Sequence, residues 1–217
     1  MSGRARQLIS LLVAVGAILG LVGAAAPWIP HRAAGLALGG FYLFESTKLF
    51  PAVASGAVPL LREAFLLPLL TSALVLAMVP AVAERPIAAV RWLCPSVAAA
   101  VALAALPMYP AILSAHRNPE FRGQLVLAAG TFLIALLSPL ARRLPTWLVL
   151  ACSAGLTAAG LSLPTAQFLR VRPLFAELYG ESIAMGWGLI VCLLGLGMVL
   201  ILALAGMCLA WREKSAS

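Results

Sequence analysis

The chain has 217 residues, 63% hydrophobic and 10% charged, with a mean hydropathy of +1.05, which excludes a single small globule that hides its apolar surface from water. Its formal charge of +8 comes from basic residues placed singly or in pairs at the edges of apolar runs, not from a basic stripe with interleaved aromatics, so nucleic acid is excluded as a partner. The chain contains no aspartate, and every mechanism that needs one is excluded with it.

An ionised side chain at mid-bilayer costs about 2.5–3.5 kcal/mol on insertion scales, so windows free of charge mark membrane spans. They predict an all-α fold: a polytopic integral membrane helix bundle, one domain over residues 1–217, with six transmembrane helices at about 7–29, 64–83, 92–114, 123–141, 146–164 and 186–211. The first also resembles a signal peptide, with Arg4 and Arg6 ahead of the apolar run and Ala24-Ala25-Ala26 as a cleavage site, but Pro27 directly after it opposes cleavage. Gly16, Gly20 and Ala24 recur along it at four-residue intervals, a small-residue face that admits a second helix backbone.

Outer loop 1, residues 30–63, fits neither a span nor a water-exposed loop. Its apolar runs, 33–44 and 49–61, fall short of the roughly 20 residues that cross a hydrocarbon core of ~30 Å. Gly35, Gly39, Gly40, Pro51, Gly56 and Pro59 interrupt any continuous helix. The expectation is a re-entrant or interfacial segment whose backbone groups are satisfied by protein.

Further along, Pro68, Pro95, Pro107, Pro110 and Pro139 are expected to kink the second, third and fourth helices or end them early. Outer loop 3, residues 165–185, is the second re-entrant or interfacial candidate. In it Phe168, Leu169, Leu174, Phe175, Leu178 and Tyr179 alternate with Arg170, Arg172, Glu177 and Glu181, as in an amphipathic surface helix with Pro173 in its first turn. Residues 33–61 are expected to fold over the outer mouth of the bundle and meet 168–181, bringing Phe41, Tyr42 and Phe44 towards Phe175 and Tyr179.

An even number of spans puts both termini on one side, and the charges favour the cytoplasm. The flanks on that side carry Arg4, Arg6, Arg85, Arg91, Arg142, Arg143, Arg212 and Lys214 against Glu84 and Glu213. Trp28 and Trp187 fall at outer ends and Trp92, Trp147 and Trp211 at inner ends, as an interfacial aromatic belt requires. The location expected is the plasma (inner) membrane, multi-pass, in contact with membrane lipids.

Candidate ligand or partner residues come in two pairs of like surroundings. His31 and His116 each precede an arginine at an outer helix end, where they could hold a metal or serve as polar termini reaching the headgroups. Glu45 with Tyr42, and Glu181 with Tyr179, place a carboxylate beside a phenol and a serine in loops 1 and 3, a setting for a cation, an amine or a surface ion pair. Cys94, Cys152, Cys192 and Cys208 show no CxxC spacing and read as small buried hydrophobes, so neither a disulfide framework nor a metal site is expected, and no cofactor is called for. No GxSxG, HExxH, phosphate-binding glycine loop or GxGxxG occurs. The favoured function is therefore a non-catalytic accessory or structural subunit that packs against other membrane protein subunits, or against its own copies as a homo-oligomer. The alternative is a small-molecule carrier or substrate-binding membrane subunit with a site under outer loops 1 and 3, and the third reading is a lipid-facing membrane enzyme.

Overall fold

In the computed structural model the described residues are 3–31 and 37–216, those after 212 by their backbone alone. Arg32, Ala33 and Gly35 of the first loop, and the side chains of Glu213 and Lys214, lie outside that description. The elements in order are α1 (Gly3–Ala25), β1 (Pro27–Ile29), β2 (Leu38–Gly39), α2 (Gly40–Ser46), α3 (Pro51–Ala54), α4 (Leu67–Val82), α5 (Ala88–Ala104), α6 (Ala111–Ser114), α7 (Pro119–Leu137), α8 (Thr146–Tyr179) and α9 (Trp187–Ala216). Short 3-10 turns cover Thr47–Leu49, Arg62–Leu66 and Ser138–Arg143. Five helices, Gly3–Ala25, Arg62–Val82, Pro119–Arg143, Thr146–Tyr179 and Trp187–Arg212, are long and apolar enough to cross a membrane.

α4 is the central helix, because 78% of its most apolar stretch is buried, against 28–44% for the other four. α1, α9 and α8 pack on one side of it and α5 and α7 on the other. Small residues set how closely α1 and α9 approach. A Cβ added to Gly16 would lie 2.8 Å from the Gly195 carbonyl oxygen, and one on Gly23 would lie 2.3 Å from the Cys192 nitrogen. Gly20 sits between both neighbours, since its Cβ would lie 2.3 Å from the Ser72 hydroxyl of α4 and 3.2 Å from Leu196 of α9, and Ala24 is buried. Helix ends follow local chemistry. The Asn118 side chain accepts from the Glu120 amide at 3.0 Å with Pro119 at the first helical position of α7, and α8 stops at Gly180, whose φ of 68° suits a residue without a Cβ.

Three local expectations are corrected. Residues 165–179 are not a separate surface segment: α8 runs unbroken for 34 residues, with Pro164 and Pro173 in its interior. Gln167, Phe168, Val171 and Phe175 are buried at helical spacing, and this burial outweighs the roughly 3 kcal/mol that an interior proline costs. α5 ends at Ala104, ten residues before the expected limit of 114; beyond it Pro107 and Pro110 cannot donate to a continuing helix. The first helix likewise stops at Ala25, and Pro27–Ile29 pairs antiparallel with Leu38–Gly39, Pro27 opposite Gly39 and Ile29 opposite Leu38. Of the prolines expected to kink helices, Pro95 lies inside α5, Pro68 sits in the first turn of α4 and Pro139 in a 3-10 turn, while Pro80 lies inside α4.

Candidate functional site

The end of the bundle that carries loops 1 and 3 is organised around Trp28. This ring is fully buried, unlike a tryptophan of an interfacial belt: its Nε1 donates to the Gly23 carbonyl at 2.9 Å, and its faces meet Phe65 and Phe168 edge-on at 6.4 and 5.9 Å between centroids. Gly40 opens α2 directly against the indole, where a Cβ would come within 2.5 Å of Cε2. The Gly186 amide donates to the Trp28 carbonyl at 2.8 Å, so β1 also fixes the entry into α9.

The loop-1 helices close over this ring. Leu43 and Phe44 are fully buried in the same apolar cluster as Phe168, Val171 and Phe175. Phe50 meets Phe175 edge-on at 4.8 Å, and the Arg62 guanidinium sits 5.5 Å from the Phe44 centroid. Polar bonds fasten the edge. The Leu61 amide donates to Gln167 Oε1 at 3.3 Å, Arg170 donates to the Pro59 carbonyl at 3.1 Å, and Arg172 donates to the Ile183 carbonyl at 2.6 Å. Residues 41–61 and the C-terminal part of α8 therefore meet: Phe44 shares the buried cluster with Phe175, and Phe41 and Tyr179 pack against it. Tyr42 is exposed instead, and Phe50, Leu61 and Pro59 add contacts the sequence did not indicate.

Each candidate residue has a definite place. Tyr42 is exposed on α2 and meets Phe41 edge-on at 5.8 Å. Glu45, at the end of the same helix, pairs with Lys48 at 2.5 Å; Lys48 also reaches Glu120 at 3.6 Å and lies 5.6 Å from the Phe121 ring. The Glu45 hydrogen bond, ahead of the smaller opposing effect of burial, raises the Lys48 ammonium above its ordinary pKa. Tyr179 ends α8 and meets His31 edge-on at 4.8 Å. Glu181 lies exposed just past Gly180, and His116 lies exposed between α6 and α7. The structure thus joins His31 to Tyr179 and Glu45 to Lys48. Among the described residues no group of three His, Cys, Asp or Glu is placed to hold a metal. Sequence reasoning passed over Gln167 and placed Trp28 in an interfacial belt, whereas the surface ion pair expected of Glu45 is the one it makes with Lys48. The one signal for Gln167 was a lone amide inside an apolar run, which needs a buried partner.

A second surface stands apart along the side of the bundle. Cys152, Gly155, Ala158, Ala159 and Ser162 of α8 are all exposed, at the three- and four-residue spacings of one helix face, which continues through exposed Leu163 to Ala166. A Cβ on Gly155 would meet nothing within 4 Å. Elsewhere the exposed flanks carry large side chains, such as Leu11, Ile18, Leu133, Leu194 and Ile201, whereas no strongly exposed large apolar side chain precedes Leu163 on α8. Compared with known protein families, with curated proteins and with solved structures, the chain matches none.

Proposed function

We propose that the chain is a non-catalytic, multi-pass membrane protein that serves as an accessory or structural subunit, with the small-residue face of α8 packed against another helix in the membrane. The observation that carries this reading is the contrast between residues 152–162 of that face and the leucine- and isoleucine-rich exposed flanks of α1, α7 and α9. In lipid, association rests on close van der Waals packing, and small residues are what let two backbones approach. Large leucine and isoleucine side chains suit contact with lipid tails; a strip of Gly, Ala, Ser and Cys offers them little. The membrane topology proposed is six spans with both ends in the cytoplasm of the plasma membrane. α5, at 17 residues, is about 26 Å long at 1.5 Å per residue, close to the ~30 Å core. The antiparallel order of neighbouring helices supports an inner end bearing Arg4, Arg6, Arg85, Arg91, Arg142, Arg143 and Arg212. In this reading α2 and α3 lie in the outer interface over the Trp28 cluster.

The test is extraction from native membranes in mild detergent. The wild type should come out with one protein, or a second copy, in fixed ratio, and Gly155→Leu should release it while leaving the melting temperature of the chain unchanged. A wild type that is monomeric and alone overturns the reading, as does a Gly155→Leu variant that keeps its companion.

A further inference from the structure

We infer that the groove between α1, α4 and α5 holds one acyl chain of an anionic phospholipid, with the phosphate at Arg85. The cavity there measures about 600 Å³, inside the roughly 300–1,000 Å³ range of pockets that bind small molecules. Its walls are apolar, built from residues such as Leu11, Ile18, Leu76, Val79, Val90 and Val97. The polar lining, Gln7, Ser10 and Arg85, gathers at one end. Ser10 already donates to the Gln7 carbonyl at 2.8 Å, which leaves Arg85 as the charged group that meets an occupant.

Length and charge identify that occupant. Along α1 the lining runs from Gln7 to Val22, about 22 Å at 1.5 Å per residue, whereas one leaflet of a ~30 Å core is about 15 Å deep. A whole acyl chain therefore lies lengthwise in the groove with its glycerol end at the polar mouth. Arg4 opens α1 at the same end, Arg91 and Arg142 line a separate small cavity beside it, all three are exposed, and Glu84 is the one acid among the described side chains at that end. Such a field attracts an anionic headgroup and does nothing for a zwitterionic one. A second groove, between α1 and α9, gives the internal contrast: about 470 Å³, lined by Leu12, Leu193, Leu194, Met198 and Ile201 among others, and without a charged residue. It is a surface for bulk lipid tails.

Native mass spectrometry of the full chain in detergent, titrated with phosphatidylglycerol and phosphatidylcholine bearing the same acyl chains, tests the assignment. Wild type should retain one phosphatidylglycerol at concentrations about fivefold lower than phosphatidylcholine, the factor expected from one cation near an anionic group. Arg85→Gln, a change at an exposed position, should erase that preference. Ala14→Trp, which fills the groove, should abolish retention, while Leu194→Trp in the uncharged groove should leave it intact. Equal retention of the two lipids by wild type overturns the inference, as does full preference in Arg85→Gln. Should Ala14→Trp fail to fold, the Arg85→Gln result decides alone.

Discussion

Gly23→Ala is the smallest change that tests how α1 and α9 are held together. The new methyl would sit 2.3 Å from the Cys192 nitrogen, 2.6 Å from the Cys192 Cα and 2.7 Å from the Gly188 carbonyl oxygen, all backbone atoms of the facing helix. No side chain can rotate away, so the helix axes must separate by about 1 Å to restore ordinary contact near 3.4 Å. Overpacking of this kind costs about 1–3 kcal/mol, and a backbone-to-backbone clash belongs at the top of that range. The alanine gains up to about 1 kcal/mol in helix propensity, which leaves a net loss of about 2 kcal/mol. For a chain of this size that is a fall in melting temperature of about 4–8 °C. Two companions sharpen the reading. Gly20→Ala meets the Ser72 hydroxyl, a group that can turn aside, and Gly130→Ala meets nothing within 4 Å. The order of stability in detergent should be Gly130→Ala, then Gly20→Ala, then Gly23→Ala. A Gly23→Ala variant as stable as wild type would refute the account of the α1–α9 contact.

Other outcomes follow from the Trp28 cluster and the proposed topology. Trp28→Ala should remove about 3–5 kcal/mol and yield little folded protein, while Trp28→Phe keeps most of the packing and loses the bond to the Gly23 carbonyl, about 1 kcal/mol, as read by the fraction that stays monodisperse after heating. Because the folded pKa of Lys48 is raised, its ion pair with Glu45 stabilises the chain fully below the ordinary value of 10.5 and is lost as pH rises through the folded value. Melting temperatures of wild type and Lys48→Met should therefore converge above that pH; a constant gap would show that the pair contributes nothing. In a background without the four native cysteines, an impermeant thiol reagent added to intact cells should label Asn118→Cys and spare Ser217→Cys. Labelling of the latter would reverse the proposed orientation.

The bundle was legible because charge is expensive in lipid: arginines and glutamates bracket each long apolar helix within a few residues of where it begins or ends. The same logic misplaced the end of α8. Arg170, Arg172 and Glu177 read as the close of a span, but charges need not stop a helix, and Phe168, Val171 and Phe175 carry it onward into the Trp28 cluster. Trp28 was misread for a related reason. Its position at a helix end suits an interfacial ring, and nothing local in Pro27-Trp28-Ile29-Pro30 says that Phe65 and Phe168, far along the chain, will enclose it. The hairpin of β1 and β2 escaped notice because three- and two-residue strands are too short to show a period of two. The exposed stripe on α8 left a trace, since Gly155, Ala159 and Ser162 are visible in the sequence, yet only the packed bundle shows which face of that helix its neighbours leave bare.

The most direct measurement of the proposed role uses a photo-activated crosslinking amino acid at Ala159, with Leu194 in the uncharged groove between α1 and α9 as the control, irradiated in native membranes. The account predicts a protein adduct of one discrete mass at Ala159, abolished by Gly155→Leu, and only lipid adducts at Leu194. Lipid adducts alone at both positions would contradict it.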